Sequence, residues 1–316
     1  MTRRQGDAYQ RSKRSAGGAA GTFLITLLLV IAVGVFAYSG WRLYNYYRAY
    51  KQGTDEYSEL NEEYVKPAEP AAADTQKETE ASSASSGAEV LTDLTSLENP
   101  TARSEILEGA NRESMVENGQ TKELPKLKNP VDFAQLQNIN PEVIGWIRVG
   151  SVNISYPVAQ AKDNDYYLHR TFKKVDNFAG CIFENCNNSP FFTDQNTIIY
   201  GHNMKNGSMF GQLKKFKEQE TFDKNPYFWM FTKDFIYQYR IFSSSIVSKI
   251  GDPYITRFSD EDFQKFIEKS ISSSEIKCGD VSVTTDDRIM TLSTCTGDDA
   301  TRRILQGVLV QVYISA

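Results

Sequence analysis

Histidine is scarce: His169 and His202 are the only two in 316 residues. The four cysteines, Cys181, Cys186, Cys278 and Cys295, contain no C-x-x-C pair. The close-spaced ligand pairs of a structural zinc site are therefore missing. An excess of positive charge is missing too. Lys and Arg total 35 against 40 Asp and Glu, for a net charge of -5, which gives no reason to expect a nucleic-acid partner. No internal repeat is present. Four cysteines in an exported domain could make two disulfides in three pairings, but a chain of this length can build a core without them.

One stretch lacks charge altogether. Ala19 to Tyr38 is uncharged and rich in Leu, Val, Ile and Phe. Twenty helical residues rise about 30 Å, enough to cross a bilayer core. Arg3, Arg4, Arg11, Lys13 and Arg14 precede it against one acid, Asp7, so the N-terminus is expected in the cytoplasm and the remainder outside. Trp41, Tyr44, Tyr46 and Tyr47 come next as an interfacial belt. A cleaved signal peptide is the alternative, but the apolar run is long and no small-x-small site precedes the belt. Both readings export the C-terminal remainder of the chain.

The expected organisation is a basic tail over 1–18, a transmembrane helix over 19–41, a juxtamembrane stalk and disordered spacer over 42–128, and a folded domain over 129–316. The spacer is rich in Ala, Ser, Thr, Glu and Pro and cannot bury enough apolar surface to offset its ordering entropy. In the folded part, Val143–Val149, Ile154–Val158, Cys181–Phe183, Thr197–Tyr200, Phe235–Ile246, Val281–Thr284, Ile289–Thr294 and Ile304–Ser315 read as strands. Val131–Ile139 and Phe210–Gln219 read as short helices. Ser259–Ser272 reads as an amphipathic helix with Ser259 as N-cap and Phe263, Phe266, Ile267 and Ile271 on one face. Seven or eight short strands with few helices predict a mainly β fold, a closed or nearly closed barrel.

Cys295 ends the apolar run Ile289–Thr294, and Arg302 and Arg303 open the next strand after a turn containing Asp298 and Asp299. A guanidinium beside a thiol favours the thiolate and can donate two hydrogen bonds to an oxyanion. Adjacent strand residues point to opposite faces, so only one of the two arginines can reach the cysteine. His202 lies just past the strand Thr197–Tyr200, with Gly201 allowing a tight exit, and suits an acid/base role better than His169.

The strings TIIYGHNM and TLSTC, followed by ATRRILQG, resemble the motifs of class B sortases. The resemblance covers about Val131 to Ala316, and an amphipathic helix lies between the two motifs as in that class. It implies an eight-stranded β-barrel with a few peripheral helices, preceded by a transmembrane helix. It implies a cysteine transpeptidase with Cys295 as nucleophile, His202 as acid/base and Arg302, in better register with Gly307 than Arg303 is, as oxyanion and substrate donor. The reaction so implied cleaves a sorting signal after Thr through a thioester and passes the secreted protein to a peptidoglycan cross-bridge or precursor amine, or to a pilin. Asn164, Leu168, Tyr200, Tyr254, Ile255 and Ser293 resemble substrate-contacting positions. No cofactor is implied, and neither calcium nor another metal. A non-catalytic exported scaffold or adhesion barrel is the alternative from another class, and the presence of Cys, His and Arg together argues against it.

Overall fold

Eight strands that alternate in side-chain direction close into a ring in the computed structural model, which describes residues 17–66, 90–91, 105–106, 114–117, 120–279 and 281–316. The strands are β1 (Val143–Val149), β2 (Ile154–Ala159), β3 (Ile182–Glu184), β4 (Asn196–Tyr200), β5 (Tyr227–Phe231), β6 (Phe235–Ser248), β7 (Ile289–Cys295) and β8 (Thr301–Ser315). Their order around the barrel is β8-β6-β5-β1-β2-β3-β4-β7, and β7 pairs back onto β8 to close it. Closure leaves no free edge in the ring. The pairs are antiparallel except β2 with β3 and β4 with β7, which are parallel. The core of the ring holds Ile147, Phe228, Met290, Leu292 and Leu305, all buried. The longest strands, β6 and β8, shift register twice along their pairing, which lets them bend with the barrel wall.

Helix α4 (Asp260–Ser272) begins at Ser259, whose hydroxyl accepts from the Asp262 amide. Three acids in its first turn suit the positive end of the helix dipole. It lays Phe263, Phe266 and Ile267 over Phe242, Ile289 and Val308 on the outer face of the barrel. Each such side chain contributes about 1.5–3 kcal/mol on burial. Ile271, expected on the same face, is instead 47% exposed, although its neighbour Ser270 is buried and its carbonyl accepts from the Ser243 hydroxyl of the barrel.

Three expectations about elements need correction. Val281–Thr284 forms no strand: Val281 and Val283 pack under α4, and the Thr284 amide is tied to Asp287 instead of a neighbour strand. The ring is already closed without it. Tyr227–Phe231 is a strand that sequence reasoning missed, since all five residues are buried and no polar alternation marks it. Phe210–Lys217 is a 3-10 helix, followed by the separate helix α3 (Gln219–Lys224). Helix α2 (Phe133–Ile139) stands where expected, capped by Asp132.

The long helix α1 (Gly17–Tyr64) carries the apolar run, a candidate membrane span by length and composition, whose side chains such as Phe23, Leu24 and Phe36 are exposed. The described residues from Tyr50 to Ala316 form one compact unit. Its first residues, placed by the sequence in the stalk, pack on the barrel. Tyr57 and Leu60 are buried in the main core, and the Tyr57 hydroxyl donates to the Gly180 carbonyl and accepts from the Phe172 amide. Most of the expected spacer, including its Ala- and Ser-rich part, lies outside the described residues. So does the basic tail up to residue 16.

Candidate active site

Two parallel neighbours, β4 and β7, run to the same end of the barrel, with Tyr200 opposite Ser293 as their last pair. Side chains two apart share a face. Tyr200 at the end of β4 and His202 just past it, with Ser293 and Cys295 of β7, line one cavity of about 560 Å³. On the other side of β7, Cys295 is directly opposite Arg302 of β8. Such cross-strand partners hold their Cβ atoms about 4.5–5.5 Å apart. Arg302 lines the cavity, and its guanidinium is braced by the carbonyls of Thr301 (2.7 Å) and Asp299 (3.2 Å). Arg303 points to the other side, buried, and pairs with Glu275 at 2.5 Å.

His202 is set just beyond β4. Gly201 makes the exit possible, because a Cβ there would clash with the Ile182 side chain and meet the Phe210 ring at 2.7 Å. The ring Nε2 lies 2.8 Å from the Leu168 carbonyl. A carbonyl can only accept, so Nε2 carries the proton and Nδ1 is the basic nitrogen of the neutral ring. Burial lowers the His202 pKa below the ordinary imidazole value, partly offset by that hydrogen bond. Gly180, at φ +61°, backs the same carbonyl: a Cβ there would meet Leu168 O at 2.8 Å and the His202 ring at 3.0 Å.

The remaining wall comes from two loops. Asn164 accepts from the Cys186 amide at 2.8 Å, and Leu168 completes that side. Tyr254 stacks on Tyr200 at 6.2 Å, with its hydroxyl 3.0 Å from the Ser293 hydroxyl. Burial raises the Tyr254 pKa, which keeps the phenol neutral. Buried Asn196 anchors that loop by donating to the carbonyls of Pro253 and Ile255. Ile255 itself is 41% exposed and does not line the cavity.

Residues 147–310 match the family model of the sortase domain. Sortase B of Listeria monocytogenes is 37% identical over 185 residues, spanning 57% of this chain and 74% of that protein. Among solved structures, a Staphylococcus aureus sortase B–substrate complex aligns with a TM-score of 0.54 at 32% identity, over 57% of this chain and 84% of that one. Clostridium perfringens sortase B aligns with a TM-score of 0.53 at 35% identity, over 57% of this chain and all of that one. The chain belongs to the sortase family. Within it, the relatives place it in class B, and the enzyme is a cysteine transpeptidase.

The sortase cavity also holds residues that sequence reasoning did not single out. Phe183, Asn185 and Lys249 line it, and Asn185 donates to the Tyr200 hydroxyl at 2.9 Å. Asn185 lies in an Asn-rich loop with no motif to mark it. Asn203, next to His202, donates to the Cys295 carbonyl at 2.8 Å. His169 is exposed and outside the cavity. All four cysteines are unpaired. Burial pushes the Cys181 thiol up beyond reach of ionisation and the Cys278 thiol up to about 11, so neither is a ready nucleophile. Asp298 shapes its turn by accepting from the Ala300 amide. A second cavity of about 420 Å³ lies between Tyr50–Glu62 of α1 and the loop after Met204, and is lined by no cysteine, histidine or arginine.

Proposed function

We propose that this sortase cleaves the sorting signal of a secreted protein after Thr and transfers the protein to a cell-wall or pilin amine. The observation that carries the reading is the convergence of Cys295, His202 and Arg302 on one cavity through the register of three neighbouring strands. The thiol proton of Cys295 passes to Nδ1 of His202, and the thiolate attacks the Thr carbonyl. Arg302 donates to the oxyanion that forms. The imidazolium then protonates the leaving amine as the C–N bond breaks, leaving a thioester. The acceptor amine loses its proton to His202 as it attacks the thioester, the C–S bond breaks, and the imidazolium returns the proton to the departing thiolate. Asn164, Leu168, Tyr200, Tyr254 and Ser293 contact the signal, and Ile255 lies on the rim of the loop that covers it.

The same proposal assigns the layout along the chain: 1–18 in the cytoplasm, 19–41 in the membrane, and the catalytic domain over 129–316 outside the cell. The acceptor is a peptidoglycan cross-bridge or precursor amine. The test uses the full chain in detergent micelles, mixed with a panel of sorting-signal peptides and a glycine-type or diaminopimelate-type amine. Mass spectrometry is expected to find a thioester on the Cys295 peptide and cleavage after Thr. Cys295→Ala is expected to abolish both, and His202→Ala to lower turnover at least about 100-fold, within the range of lost acid–base catalysis. Adducts on another cysteine, or product formation by Cys295→Ala, would overturn the assignment.

A further inference from the structure

The parallel pairing of β4 and β7 stops short of the proposed catalytic pair. Its last backbone bond runs from the Gly201 amide to the Ser293 carbonyl at 3.1 Å. One step further in register, the Asn203 amide would donate to the Cys295 carbonyl. The backbone does not continue so. Asn203 has turned away to bridge with Met209, and the His202 carbonyl accepts from the Phe210 amide at 3.0 Å. The strands splay there, which opens the cavity. The Asn203 side chain takes the missing place, its Nδ2 donating to the Cys295 carbonyl at 2.8 Å.

We infer that Asn203 is a positioning residue that sets the separation of His202 and Cys295 where their strands part. The inference rests on the assignment of that pair above. Cys295 also marks the last pairing of β7 with β8, so its carbonyl lies at the end of the ladder on both sides. The side-chain amide of Asn203 holds that end from the chain that carries the histidine. Without it, the strand end and the histidine loop move independently, and the proton passes across a longer, variable gap. A misplacement of about 1 Å can cost roughly 100-fold in rate.

The experiment compares wild type, Asn203→Ala, Asn203→Asp and His202→Ala as full chains in detergent micelles. It measures kcat and KM for signal cleavage, Tm, and the pH profile of iodoacetamide alkylation read on the Cys295 peptide. Both Asn203 variants are expected to lose about 10–100-fold in kcat, with KM within about twofold. Asp is no better than Ala, because a carboxylate cannot donate to the carbonyl. The alkylation profile of Asn203→Ala is expected to move toward that of His202→Ala, while Tm stays near wild type. An unchanged profile overturns the inference, whether activity is kept or falls in step with Tm, since the amide then does no more than hold the fold. If wild type makes no thioester, or His202→Ala leaves the profile unchanged, the assignment of the pair fails and takes this inference with it.

Discussion

Arg302 and Arg303 are neighbours with opposite surroundings. Arg302 faces Cys295 across the ladder and lines the cavity, whereas Arg303 is buried against Glu275. The two substitutions should therefore separate turnover from stability. Arg302→Ala is expected to lower kcat/KM about 100-fold or more, as for loss of an oxyanion donor, with Tm nearly unchanged. Arg303→Ala is expected to lose about 1.5–3 kcal/mol of stability, the range for hydrogen bonds to charged groups. Activity assays beside thermal melts decide it, and the reverse pattern would exchange the two roles. A second residue-scale prediction concerns Glu184, fully buried in β3 with neither carboxyl oxygen hydrogen-bonded. Burial raises its pKa well above the carboxylate range, and Asp194 adds to the effect. The folded state therefore keeps a proton that the unfolded chain releases near pH 4.3 or so. Above that pH the folded form binds more protons, so this group costs stability as pH rises. Glu184→Gln is expected to raise Tm by about 2–4 °C at pH 8, the shift for roughly 1 kcal/mol in a domain of this size. The gain should vanish near pH 4, and a gain independent of pH would rule out ionisation as its cause.

At the scale of elements, strands with clear alternation and flanking turns were legible. β1 spans the very residues that its pattern predicts, Val143–Val149. β5 was not legible, because Tyr227–Phe231 is buried throughout and period 2 disappears. The error at Val281–Thr284 arises in the opposite way: alternating Val residues pack under α4 and imitate a strand face. The sequence predicts an anchor and stalk over the residues of α1, but Leu60 is fully buried in the main core. Leu60→Ala is expected to cost about 2–5 kcal/mol, measured by denaturant unfolding. A cost below 1 kcal/mol or so would mean that the helix only rests on the barrel. A soluble form begun at Asn129 would lack these contacts altogether, along with the Tyr57 hydroxyl that holds the Gly180 carbonyl.

At the scale of the molecule, an apolar helix at the N-terminus and a sortase barrel after it fit a membrane-tethered enzyme. The charge asymmetry around Ala19–Tyr38 predicts its orientation. In intact cells, a tag before Arg3 is expected to survive external protease, while a tag after Ala316 is removed. Removal of the N-terminal tag alone would reverse the proposed topology. The closed ring also decides which strands become neighbours. β4 and β7 are about 90 residues apart in sequence, yet they pair in parallel, and that pairing brings His202 toward Cys295.

Local chemistry was enough to mark a candidate membrane span and a mainly β fold, and to single out Cys295, His202 and the two arginines. Hydropathy, charge bias, β-pattern and motif all act over a few residues, and one chain displays them directly. What only the tertiary structure decided are the contacts between distant segments: the face each arginine takes, the packing of Leu60 and Tyr57 on the barrel, the absence of Ile255 from the cavity lining, and the bond from Asn203 to the Cys295 carbonyl. Each depends on register between strands or on burial against another element. Those are set by closing the barrel with all eight strands at once, which no local pattern specifies.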